Sequence, residues 1–147
     1  MLQPGDAFPA FNSVDFEGEP LTLDDLLGSP FVIYFYPKDD TPICTTQACS
    51  FRDAYDAFDD VDILVVGVSP DSPESHRKFM EKHDLNFPLI SDQNLDFSKK
   101  CGVEKEGKIV RTTFLCDEEG VVQWVESPVN VDGHVERVMD AIEDAFA

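Results

Sequence analysis

Two hydrophobic rhythms alternate along the chain, and the changes between them divide it into elements. Phe31 to Tyr36 is almost continuously apolar, and so is Val61 to Ser69, as strands covered on both faces of a sheet are. Thr45 to Phe58 instead sets Ala48, Phe51, Tyr55 and Phe58 three, four and three residues apart, the stripe of a helix lying on that sheet. Ser72-Pro73-Glu74 supplies an N-cap with proline at the first helical position, which predicts a helix to about Asp84. Pro88 to Ser91 reads as a short third strand, and Leu95 to Cys101 as a short helix stopped by Gly102. Thr112 to Cys116 and Val121 to Val125 flank Asp117-Glu118-Glu119-Gly120, which predicts a β-hairpin. Val131 to Phe146 closes the chain as an amphipathic helix with Val135, Val138, Met139, Ile142 and Phe146 inward.

At the other end, Phe11 to Leu23 alternates loosely about Glu17-Gly18, a small hairpin at the sheet edge. Thr22 and Asp25 form a capping box for a short helical turn that stops at Gly28-Ser29-Pro30. Strands and helices alternate first and a hairpin follows late. The expected fold is therefore α/β, a central mixed sheet with helices on both faces, in one domain spanning residues 1–147. A chain of this length buries about 68–70% of its unfolded surface.

Charge narrows the possible partners. Thirty acidic residues against 11 Lys and Arg give a net charge of −19, with 14 acids up to Asp71 and 16 after it. Such an evenly acidic surface repels nucleic-acid phosphates. It also repels itself unless salt screens it, and at 1 M salt the Debye length is only about 3 Å. A high-salt cytoplasm is the expectation, with an ordinary acidic mesophile protein as the alternative. There is no 18-residue apolar run to span a membrane, and MLQPGDAFPAF has neither the basic region nor the apolar core of a signal peptide. In a cytoplasm the four cysteines rest reduced, and a disulfide among them is expected to be transient.

The chemistry concentrates where the first buried strand ends. Phe31 to Asp53, FVIYFYPKDDTPICTTQACSFRD, runs from that strand through a proline-flanked turn into a helix, with Cys44 and Cys49 just past the turn. The first N–H groups of a helix at a sheet's carboxyl edge lack partners and favour an anion, which a thiolate is. A free thiol is only about 3% ionised at pH 7. Making it mostly thiolate takes about 3 to 4 kcal/mol, and a helix N-terminus supplies at most about 2. A cation must contribute the rest. Arg111, at the start of an apolar strand, reaches Cys44 if that strand lies beside Phe31 to Tyr36, and Arg52 on the same helix is the second candidate. Thr41 stands where a Cys-x-x-Cys pair would have its first cysteine, which rules out dithiol exchange through that pair. Its hydroxyl can instead bond a small oxygen-bearing substrate, while Pro37 and Pro42 stiffen the turn.

Pro37-x-x-x-Thr41-x-x-Cys44 within YPKDDTPICTTQACSFRD resembles the active-site signature of the peroxiredoxins, and most of all their bacterioferritin-comigratory, or Q-type, group. The likeness extends to PGDAFPAF, ILVVGVSPDSPESHRKF, FPLISD and Arg111 in VRTTFLCDEEG. It implies a thioredoxin-like fold and reduction of hydroperoxides without a cofactor or metal. It further implies Cys44 as peroxidatic cysteine in a pocket shaped by Pro37, Thr41 and Arg111, Cys49 as resolving cysteine, and a thioredoxin- or glutaredoxin-like dithiol reductant acting on a monomer or weak homodimer. Ile43 departs from the glycine common in that group and is expected to narrow or re-aim the entrance. In a regular helix the Cα atoms of residues five apart lie roughly 8.7 Å apart, while a disulfide needs less than about 7 Å, so pairing Cys44 with Cys49 requires the helix to unwind.

The remaining residues take plainer expectations. Cys116 is expected in the core, and Cys101 likewise, with a reserve resolving role as its alternative. His76, His83 and His134 are expected to be exposed on helices, Asp39 and Asp40 to solvate their turn, and Trp124 to be core. A thiol–disulfide exchange enzyme and a redox-sensing binding module are the rival functions for the same cysteines.

Overall fold

The computed structural model describes residues 1–146. A seven-stranded mixed sheet forms its centre. Its strands are β1 (Asn12–Asp15), β2 (Pro20–Thr22), β3 (Phe31–Phe35), β4 (Leu64–Ser69), β5 (Leu89–Ser91), β8 (Thr112–Cys116) and β9 (Val122–Glu126). They lie in the order β2-β1-β5-β4-β3-β8-β9. The three central strands β5, β4 and β3 are parallel, and antiparallel hairpins flank them on both sides. β6 (Glu104–Lys105) and β7 (Lys108–Ile109) form a separate small hairpin that the hydrophobic rhythm gave no sign of.

Every residue of β3 is buried, and alternate side chains serve opposite cores. Val32 and Tyr34 pack with α2 (Pro42–Asp53), α4 (Pro73–His83) and α6 (His134–Phe146) through Ala48, Phe51, Phe79, Val138 and Ile142. Phe31, Ile33 and Phe35 pack with α1 (Leu23–Leu26) and α5 (Asp96–Cys101) through Leu26, Phe97 and Cys101. Gly67 interrupts the apolar run of β4 for a steric reason: the ring of its β3 neighbour Tyr34 crosses over it, and a Cβ there would lie 3.0 Å from that ring and 2.7 Å from Leu89.

Caps end the elements much as the sequence indicates. Asp25 Oδ2 accepts from the Thr22 N–H at 2.8 Å, Ser72 Oγ accepts from the Ser75 N–H at 3.1 Å, and Gly102 closes α5 in the left-handed region.

Four expectations need correcting. The helix over Thr45 to Phe58 begins earlier, at Pro42, and breaks at Ala54, after which α3 (Tyr55–Asp60) continues. No glycine or proline marks that break; the two pieces turn relative to each other so that Phe51 and Phe58 both enter one core. β4 starts at Leu64 rather than Val61, because Asp62 adopts a positive φ of 56° in a turn closed onto Asp59. α6 starts at His134 and buries His134 and Ala141. Its Phe146 does not point inward; it is 39% exposed and rims a surface groove with Pro30, Val61 and Ile63. Among the described residues, no helix is long and apolar enough to cross a membrane.

Candidate active site

β3 delivers the chain to the carboxyl edge of the sheet, and Pro37 to Thr41 turn it into α2. Thr41 is the N-cap in extended conformation and Pro42 is the first helical residue, needing no N–H where none would be paired. Cys44 is therefore the third residue of the helix, in the turn whose N–H groups have no carbonyl four residues back within the helix. Its side chain is 2% exposed and its thiol is free.

The cation comes from across the sheet. β8 pairs antiparallel with β3, Phe35 opposite Thr112, so Arg111 enters beside the end of β3 and the start of α2. Its Nη2 donates to Cys44 Sγ at 3.2 Å and its Nη1 to Gln47 Oε1 at 2.7 Å. One guanidinium thus bridges the sulfur and an amide one helical turn further on. Arg52, the other candidate cation, lies elsewhere: it donates to the His83 carbonyl at 2.7 Å and pairs with Asp53. Eight positions beyond Cys44 on α2, it cannot share the first turn with the thiol.

Thr41 donates its hydroxyl proton to the Lys38 carbonyl at 3.0 Å, so its free lone pairs can only accept from a substrate. Pro37 is exposed at the head of the turn, and Ile43 projects into solvent, 56% exposed, one residue before the sulfur. Two buried polar atoms of α2 and β3, Gln47 Nε2 and Tyr34 Oη, have no hydrogen-bond partner among the described residues. Burial first, and then Cys44 and Asp39, push the Tyr34 phenol well above its ordinary range, so it stays a proton donor.

Cys49 sits half-buried on the same unbroken helix as Cys44, with its thiol free. Five residues of helix rotate it by about 140° from Cys44, so the two side chains leave different faces. Cys101 and Cys116 are fully buried in the opposite core, and burial raises both thiols far above the physiological range. A reserve resolving role for Cys101 has no support in that setting.

Sequence reasoning missed Gln47, although its spacing of three from Cys44 places it on the same helix face. It also misjudged the turn and two histidines. Asp39 does not solvate the turn: it is buried and hydrogen-bonded to Tyr36, Ser75 and His76. His76 is buried between Asp39 and the Ile90 carbonyl, and His134 between Thr113 and Glu126. His83 is half-buried against Asp40. No cluster of three or more potential metal ligands occurs among the described residues. A buried thiol in contact with a guanidinium, at the start of a helix and behind a rigid turn, is suited to nucleophilic attack on a small electrophile.

Comparison with known proteins points the same way. Residues 4–125 match the AhpC/TSA family. The chain is 43% identical over 146 residues to the putative peroxiredoxin bcp of Coxiella burnetii, covering 94% of this chain and 97% of that protein. It is 39% identical to peroxiredoxin Bcp of Bacillus subtilis, covering 97% and 96%. Among solved structures, peroxidoxin BcpB of Mycobacterium tuberculosis superposes with a TM-score of 0.93 at 32% identity over the whole of both chains. The bacterioferritin comigratory protein of Xanthomonas campestris, described through its alkyl peroxide reduction and trapped intermediates, gives 0.89 at 34% identity, covering 98% and 96%.

Proposed function

Because the chain belongs to the AhpC/TSA family of peroxiredoxins, within the Bcp or Q group, and is a thiol-dependent peroxidase with a thioredoxin-like fold, we propose that Cys44 is its peroxidatic cysteine and Cys49 its resolving cysteine. The contact between Arg111 Nη2 and Cys44 Sγ carries this assignment. The guanidinium stabilises negative charge on sulfur before attack and on the substrate oxygens during it.

The Cys44 thiolate attacks the distal oxygen of a hydroperoxide. The O–O bond breaks, the leaving oxygen departs with a proton as water or an alcohol, and sulfur is oxidised to the sulfenic acid. Thr41 accepts from the peroxide O–H while Arg111 donates to the oxygen pair, which sets the O–O axis towards sulfur. Cys49 then condenses with the sulfenic acid, forming the disulfide and releasing water. A thioredoxin- or glutaredoxin-like dithiol returns the pair to thiols. Pro37 holds the turn, and Ile43 stands at the substrate entrance. The chain acts as one domain, a monomer or weak homodimer, in a cytoplasm whose high salt its charge of −19 suits. Neither disulfide exchange without peroxide nor sensing alone is favoured for a member of this family.

The test is the second-order rate of hydrogen peroxide with the reduced protein, followed by thiol counting. Wild type is expected to lose two thiols rapidly, Cys44→Ser to show no fast reaction, and Cys49→Ser to accumulate a trappable sulfenic acid. A wild-type rate no faster than that of an ordinary free cysteine would overturn the assignment.

A further inference from the structure

Apart from the thiol and its cation, the richest buried polar cluster near the site lies under the turn that precedes α2. Asp39 is 7% exposed although Pro37, Lys38 and Asp40 around it face solvent. Its Oδ1 accepts from the Tyr36 hydroxyl at 2.6 Å, and its Oδ2 accepts from Ser75 at 2.8 Å and meets His76 Nδ1 at 2.7 Å. Its backbone N–H donates to Asp71 Oδ2 at 2.7 Å, and Asp71 also accepts from Ser69. The other ring nitrogen of His76 faces the Ile90 carbonyl at 3.0 Å. A carbonyl oxygen only accepts, so Nε2 is the nitrogen that donates to it, while Nδ1 is hydrogen-bonded to the Asp39 carboxyl group. The neighbouring Asp40 has a positive φ of 57° and is held by Lys82 Nζ at 2.7 Å and His83 Nε2 at 3.0 Å. Ser75, His76, Lys82 and His83 all belong to α4. The side chains of Asp39 and Asp40 thus fasten the turn to α4 rather than to the helix that carries the cysteines.

We propose that Asp39 and His76 form a latch that positions the turn and so sets the balance between the helical form of α2, in which Cys44 meets peroxide, and the unwound form, in which it reaches Cys49. Resting on the peroxidase reading above, the latch makes both residues positioning residues, since neither touches sulfur or substrate. Thr41 makes no side-chain cap to α2, so the first turn of the helix is positioned by the preceding turn together with the Arg111 contacts to Cys44 and Gln47. Thr41 and Cys44 follow Asp39 by two and five positions. With the pair intact, Thr41, Cys44 and Arg111 stay aligned. Without it, the turn drifts and the aligned form becomes a minority, while unwinding, which resolution requires, becomes easier. The two chemical steps therefore respond in opposite directions, as a uniform loss of stability would not make them do.

Rapid mixing with hydrogen peroxide separates the steps, the first read as sulfenic acid formation and the second as disulfide formation. Four variants divide the contacts. Asp39→Ala removes the carboxylate. Asp39→Asn preserves the contact in reverse, its amide donating to the free lone pair of a neutral His76. His76→Asn places an amide N–H where Nδ1 was and keeps the bond to Asp39, whereas His76→Gln places it where Nε2 was and keeps only the bond to Ile90. Asp39→Ala and His76→Gln are expected to slow the first step by about ten- to a hundredfold and to leave the second at or above its wild-type rate. Asp39→Asn and His76→Asn are expected to stay close to wild type in both. If Asp39→Ala does not fold, the contrast between the two His76 variants decides. Wild-type rates in Asp39→Ala or His76→Gln, or equal slowing of both steps in all four, would overturn the latch while leaving the peroxidase reading intact. A slow wild type would overturn both.

Discussion

At the scale of single residues, Arg111 carries the most. Arg111→Ala is expected to lower the rate with peroxide by about a hundredfold, the usual effect of losing one donor that stabilises developing charge. Arg111→Lys is expected to recover only part of it, because an ammonium cannot span Cys44 Sγ and Gln47 Oε1 together. The position was legible in the sequence because the chain has few arginines and only Arg111 opens a strand able to lie beside the first. The buried histidines were not legible, since helical position does not reveal whether a ring finds partners inside.

His134 illustrates what such burial does. Desolvation outweighs the attraction of Glu126 and holds its pKa below the ordinary 6.5, so the ring is neutral, donating from Nδ1 to Glu126 and accepting at Nε2 from Thr113. The unfolded chain takes up a proton there that the folded protein refuses, so stability should fall as pH drops below about 6.5. Glu126 is itself desolvated, yet Arg137 and His134 together hold its pKa below the ordinary 4.5, so its contribution is intact above that value and lost on further acidification. Urea unfolding from pH 7 to 5 should show the first loss in wild type and a shallower one in His134→Gln. That variant should also be less stable at pH 7 by about 1–3 kcal/mol for the lost bond to Glu126.

At the scale of elements, α2 is the piece that must change. It is a regular helix of 12 residues with both thiols free, and Cys44 cannot meet Cys49 until it unwinds. Oxidation by one equivalent of peroxide should lower the helical signal in far-UV circular dichroism and speed amide exchange in Pro42–Asp53. Cys49→Ser should show neither change, and an oxidised structure with α2 unbroken would rule out the pairing. The break at Ala54 limits the effect, because α3 keeps Phe58 in the core and need not follow. Hydrophobic rhythm revealed the strands and most helices because one side of each faces a core. It missed the break at Ala54 and the hairpin of β6 and β7, where tertiary packing rather than periodicity decides.

Charge acts on the whole molecule. Thirty acids and 11 cations leave −19 to be screened, so the melting temperature should rise between dilute buffer and molar salt. Equal melting in both would remove the case for a high-salt setting. The pairing of β8 with β3 has a consequence in time as well as space. Cys44 and its cation lie 67 positions apart in the chain, so neither local helix formation nor the first strand can assemble the site. During synthesis the segment with the thiol is complete long before the strand that brings the arginine. Until that last hairpin docks, Cys44 is an ordinary thiol, and the speed with which a nascent chain consumes peroxide becomes a clock for completed folding.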